Sequence, residues 1–124
     1  MSNREEKLTK ESKSLRAVLD LPDWKIGFAA WVFVGYSPLE KKERGVLIRL
    51  TDEIEIPCDG TDYIEVEKAQ REIKQTLESR VAEFKGIEKI DSKERFDRKL
   101  LIDIALKNDF SLAVNISSLG RTNS

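Results

Sequence analysis

Residues 62–85 read DYIEVEKAQREIKQTLESRVAEFK. Val66, Ala69, Ile73, Leu77, Val81 and Phe84 recur at spacings of 3, 4, 4, 4 and 3, which is the α-helical period. The spacing predicts a long helix over 62–85 with one apolar stripe. Thr61 or Asp62 stands where a cap is needed, and Asp62 with Glu65 has the spacing of a capping box. Glu67 and Arg71 form a favourably oriented i,i+4 pair, and Gly86 suits the position just past the helix end. A helix that buries one stripe needs a surface to lie on, so the flanking segments are read for strands.

Upstream, residues 46–56 (VLIRLTDEIEI) place Val46, Ile48, Leu50, Ile54 and Ile56 on one alternating face, which Asp52 breaks. A bulge or short turn at Thr51–Glu53 makes two strands of one. Pro57-Cys58-Asp59-Gly60 stops the run. Residues 25–36 (KIGFAAWVFVGY) are apolar on both alternating faces, which predicts a covered central strand. Residues 37–45, with Pro, Gly and five charges, are expected to be an exposed loop closing a hairpin over 25–56. Residues 5–20 place Leu8, Leu15, Val18 and Leu19 on one helical stripe, ended by Leu21-Pro22-Asp23.

Downstream, residues 91–107 are expected to be a second helix, opened by Asp91 or Ser92 and striped by Phe96, Leu100 and Ile104. Its LLIDIAL half is apolar nearly all round, so two neighbours or a partner chain must bury it. Phe110, Leu112, Val114 and Ile116 then alternate with polar or small residues, a half-buried strand over 110–117. The expected fold is α+β. It has a small sheet of three or four strands (hairpin 25–56 plus strand 110–117), with helix 62–85 packed on one face. Helices 5–20 and 91–107 flank it. Residues 1–124 are expected to form one domain with frayed ends at 1–4 and 119–124.

Composition narrows the chemistry. The chain has 124 residues, no His, one Cys, and 22 Lys+Arg against 23 Asp+Glu. Without His there is no imidazole base, Ser–His or Cys–His pair, or imidazole metal ligand. One thiol makes neither an internal disulfide nor a thiolate zinc site. The six glycines match no phosphate loop. The N-terminal residues lack the apolar core of a secretory signal, and no apolar run reaches the length of a membrane span. A cytoplasmic chain with no membrane partner and no cofactor is expected. The balanced charge and scattered lysines argue against nucleic acid. Trp24, Trp31, Phe33 and Tyr36 read as packing residues before they read as a binding platform. Cys58, with acidic sequence neighbours, reads as an unreactive thiol.

Charge is unevenly placed. Residues 50–67 hold seven acids and no base: Asp52, Glu53, Glu55, Asp59, Asp62, Glu65 and Glu67. These carboxylates serve a helix N-terminus and an edge strand, or form a docking surface for a basic protein, or hold a divalent cation. The cation reading is the weakest of the three, because Cys58–Asp62 lacks the order of a calcium loop. Without the usual catalytic side chains, the expected function is non-catalytic protein binding. Immunity, antitoxin, inhibitor and chaperone-type proteins share that physical description. One alternative is a homo-oligomeric structural or small-ligand-binding domain, with a homodimer joined through strand 25–36 or helix 91–107. A lesser alternative is a carboxylate-based enzyme, with or without Mg²⁺.

Overall fold

A computed structural model of the chain describes residues 13–108. In chain order these form α1 (Lys13–Leu19), β1 (Asp23–Lys25), α2 (Ile26–Phe33), β2 (Tyr36–Ser37) and α3 (Lys41–Arg44). β3 (Val46–Arg49), β4 (Glu55–Pro57), α4 (Thr61–Lys85), β5 (Arg95–Asp97) and α5 (Arg98–Lys107) follow. The fold is α+β, as the patterning predicts, with the long helix within one residue of its expected start. The expected strand 110–117, the first part of helix 5–20 and both expected frayed ends lie outside the described residues.

The strands form two small antiparallel sheets rather than one. β1 pairs with β5 in the register Asp23↔Asp97, Trp24↔Phe96 and Lys25↔Arg95. β2, β3 and β4 lie side by side in chain order, with Leu47 opposite Ile56. The predicted break at Thr51–Glu53 is present: Glu53 takes φ 66°, and its N–H donates to the Arg49 carbonyl at 2.8 Å. The chain therefore reverses there, separating β3 from β4 as a tight turn rather than a bulge.

Segment 25–36 departs most from expectation. Its middle is the helix α2, with β1 before it and β2 after it. Ile26, Ala29, Ala30, Trp31, Val32 and Phe33 are all buried. A segment surrounded by protein has no polar face to reveal its period, so sequence alternation fits a buried helix as well as a buried strand. Ala29 and Ala30 favour the helix, and at Gly27 the absent side chain leaves room for Gln70 and Lys74 of α4. The hairpin 25–56 is accordingly replaced by the shorter β2–β3 pairing, and the expected loop 37–45 contains the one-turn helix α3. The expected dimerising strand is absent, and its apolar side chains are covered from within the chain.

This has a testable consequence at Gly27. A Cβ there would meet Gln70 Nε2 at 3.8 Å and Lys74 Cε at 3.8 Å, ordinary contact distances, and the backbone is helical. Gly27→Ala is expected to raise stability by about 0.5 kcal/mol by reducing unfolded-state freedom. Urea unfolding of the two proteins reads it; a lower midpoint for the variant would contradict the helical assignment.

The segment 91–107 is helical only from Arg98. Asp91 Oδ1 accepts from Lys93 N–H at 2.9 Å and so makes a turn instead of opening a helix. Asp97 is the cap, accepting from Lys99 N–H at 2.8 Å. The apolar second half packs against α2 and α4, with Leu101 and Ala105 fully enclosed, while Leu106 stays exposed.

α4 lies chiefly on α2 and then on α5, not across a sheet. The main core joins Val18, Trp24, Ile26, Phe33, Leu50, Leu77, Val81, Phe96 and Leu101. A second, smaller cluster of Trp31, Leu47, Ile56 and Tyr63 ties α2, β3 and β4 to the first turn of α4. That smaller cluster sits beneath the acidic segment.

Candidate functional site

Carboxylates projecting from a rigid base are the feature to locate, because the sequence singles out seven of them. β4, the loop 58–60 and the first two turns of α4 carry five, and the β3–β4 turn carries Asp52 and Glu53 at its tip. The structure divides the seven by what each one touches.

Three face arginines. Asp52 takes Arg49 in a two-pronged pair, with Oδ2 2.7 Å from Nη2 and Oδ1 2.9 Å from Nε. That contact, with the Ile54 N–H donating to Oδ1, holds the Asp52 carboxyl below its ordinary pKa. Glu55 meets Arg44 of α3 at 2.7 Å, and this partner holds the Arg44 guanidinium more firmly protonated. Glu67 meets Arg71 at 3.3 Å, the predicted i,i+4 pair, and also accepts from the Tyr63 hydroxyl at 3.4 Å. Such exposed pairs add little stability, typically about 0–1 kcal/mol, but they remove free charge from the surface.

Glu53 is held across the fold. Its Oε2 accepts the backbone N–H of Ser14 at 2.8 Å and the Ser14 hydroxyl at 2.7 Å, tying the β3–β4 turn to α1. Asp59, Asp62 and Glu65 remain: all three are exposed and make no ion pair or hydrogen bond with the described residues. The helix is capped by Gly60 without a side-chain hydrogen bond, so the expected capping box does not form. Asp62 sits in the first turn, where the positive end of the helix favours a carboxylate by about 0.3–1 kcal/mol. Residues three apart on a helix project within about 60° of one another. Asp62 and Glu65 therefore share one flank of α4.

The two lysines of α3 bear on the same region. Trp31 and Tyr63 stack with centroids 5.8 Å apart, and Lys41 Nζ lies 5.9 and 5.7 Å from the two ring centres. Both aromatic residues are buried, so neither offers a bare face to a base or sugar. Lys41, Lys42, Pro38, Cys58 and Tyr63 surround an open hollow of about 510 Å³. Burial pushes the Cys58 thiol up from its usual pKa, outweighing the pull of Lys41 toward the thiolate. This setting leaves the thiol a poor nucleophile. Lys41 opens α3; the sequence shows it as one of a few bases diluted by Glu40 and Glu43, and gives no sign of the two rings it covers.

Another side chain missed by pattern reading is Gln70. It is buried in the middle of the α4 stripe and donates from Nε2 to the Gly27 carbonyl at 3.0 Å, joining α4 to α2. Among the described residues no group of three or more carboxylates or thiols is placed to hold a metal ion, and no helix is long and apolar enough to cross a membrane.

Comparison with protein-family models, with curated proteins and with solved structures gives no match for this chain.

Proposed function

We propose that this chain is a non-catalytic protein-binding module that receives a basic protein partner on the acidic end of α4. The supporting observation is the trio Asp59, Asp62 and Glu65. These exposed carboxylates lack a neutralising contact among the described residues and stand on a helix end fixed by the Trp31–Leu47–Ile56–Tyr63 cluster. Fixed like charges steer an oppositely charged partner and speed its encounter. Asp52, Glu53, Glu55 and Glu67 belong to the rim of this surface, since each already answers a group within the chain. The chain has no His, so it offers no imidazole as a general base.

The test is capture from cells expressing the chain, comparing three proteins. One is the wild type. The second is Asp59→Asn/Asp62→Asn/Glu65→Gln. The third is Glu72→Gln/Asp97→Asn/Asp103→Asn, which has the same net charge and a changed surface elsewhere. A basic protein retained by the first and third, lost by the second, and released by raised salt is expected. Association with the second protein should be slower by about tenfold at low salt. Equal loss in both variants would reduce the effect to net charge and overturn the reading.

A further inference from the structure

α4 ends where Gly86 takes φ 71°: its N–H donates to the Glu83 carbonyl at 3.2 Å, and Ile87 N–H reaches the Ala82 carbonyl at 3.0 Å. This closing turn carries residues 87–92 back along the side of the helix. Ile90, 7% exposed, anchors that segment in the main core. Between the segment and α4 lies an open groove of about 890 Å³.

The helix wall is formed by Gln75, Glu78, Ser79 and Ala82, positions that share one helical face. Ala82 and Ile90 make an apolar floor, and Ile87, 44% exposed, stands at the lip. Glu78, Glu83, Glu88 and Asp91 border the groove against one cation, Lys89. Neighbouring cations are engaged elsewhere or only in part here. Lys85 pairs with Glu94 at 2.9 Å and lies 5.2 Å from the Phe96 ring centre, while Arg80 meets only Glu83, at 3.3 Å. Charge summed along the sequence hides this arrangement, because Arg80, Lys85, Lys89 and Lys93 alternate with the acids there.

We infer that this groove docks a basic amphipathic helix of a protein partner. The acidic border selects lysine and arginine, and the apolar floor selects aliphatic side chains between them. The helix wall comes from the interior of α4, whose backbone groups are already bonded within the helix. That wall offers no free backbone partner to an occupant, and a helix, which bonds its own backbone, loses nothing by lying along it. Gln75 to Ala82 spans about 10 Å, or two helical turns, which accommodates apolar side chains at i, i+3 or i+4, and i+7. The inference rests on the reading of the chain as a binder of basic protein. It uses a different place, since Glu78 lies about 24 Å along α4 from Asp62.

The probe is a fluorescein-labelled synthetic peptide of lysine and leucine, with leucines at i, i+3, i+4 and i+7, followed by anisotropy at two salt concentrations. Ser79→Trp fills the groove without changing charge, and Glu78→Gln/Glu88→Gln removes half of its acidic border. Both alter solvent-facing positions, and thermal unfolding checks that each variant is folded. Each is expected to weaken binding by roughly tenfold, whereas Asp62→Asn/Glu65→Gln leaves it unchanged. Amide shifts at Ala82, Ile87 and Ile90 on titration of the wild type are expected as well. Absence of binding to the wild type, equal binding by Ser79→Trp, or equal affinity for a lysine-only peptide overturns the groove. Loss confined to Asp62→Asn/Glu65→Gln also overturns the groove while supporting the surface at the start of α4.

Discussion

Trp24→Ala is expected to remove about 3–5 kcal/mol of stability, the range for deleting a fully buried large aromatic side chain. Trp24 is 1% exposed and stands where four elements meet. Its ring centroid is 5.7 Å from that of Phe28 and 6.3 Å from that of Phe33, both on α2. Its backbone pairs with Phe96 on β5, and its Nε1 donates to the Val18 carbonyl of α1 at 3.0 Å. Removing the ring leaves a cavity bounded by α1, α2 and β5, and these elements cannot all move in to fill it. Against a total of about 5–15 kcal/mol for a domain, that is a large share of the stability. Trp24→Phe separates two contributions. It keeps most of the packing and loses the indole donor, but the Val18 carbonyl retains the Leu21 N–H at 3.3 Å. The hydrogen-bond share of its cost is therefore expected near the low end, about 1 kcal/mol. Chemical unfolding monitored at the far-UV helical band measures both. A loss below about 1 kcal/mol in Trp24→Ala would contradict the central place given to this ring.

The elements readable in the sequence are those with one wet face and one dry face. α4 alternates its surroundings every turn and β4 every residue, so the period of 3.6 is written in residues 62–85 and that of 2 in residues 55–57; β3 is less clean, since it buries Leu47 while Val46, Ile48 and Arg49 stay half-buried. α2 has no wet face. Its apolar run carries strong evidence of burial and almost none of conformation. Burial by α4, α5 and the neighbouring strands decided it. Helix 91–107 failed in its first part for a different reason. Asp91 and Asp97 are both able to cap, and the sequence does not say that Phe96 is required opposite Trp24 in a two-stranded sheet. The acidic block shows how far a charge count reaches. It located the seven carboxylates but not Arg44 and Arg49, which fold over the block from outside the window, nor the Ser14 that takes Glu53 across 39 positions. The carboxylates of the groove beside α4 are invisible to such a count because Arg80, Lys85, Lys89 and Lys93 stand among them along the chain, although Lys85 pairs with Glu94 outside the groove.

Leu77→Ala is expected to cost about 2–5 kcal/mol, whereas Phe84→Ala should change stability by no more than about 0.5 kcal/mol. The sequence places both on one stripe, and by side-chain size alone the phenylalanine would matter more. The structure separates them: Leu77 is fully buried and Phe84 is 67% exposed. A helical period fixes the direction in which a side chain points, not how far along the axis the neighbouring elements extend. Leu77 lies over the main core with Val81. Phe84 keeps nearly the same direction one turn beyond Val81, but among the described residues it faces the end of α5. There it borders a hollow of about 280 Å³ with Ile104 and Lys107. At the opposite end of the stripe, Ala69 is exposed and Gln70 takes the central place, so polarity also misled the choice of facing residue. Paired urea unfolding of the two alanine variants measures the difference directly. A Phe84→Ala loss equal to that of Leu77→Ala would require that something covers Phe84 in solution, and the packing of α4 described above would then be incomplete at its C-terminal turn.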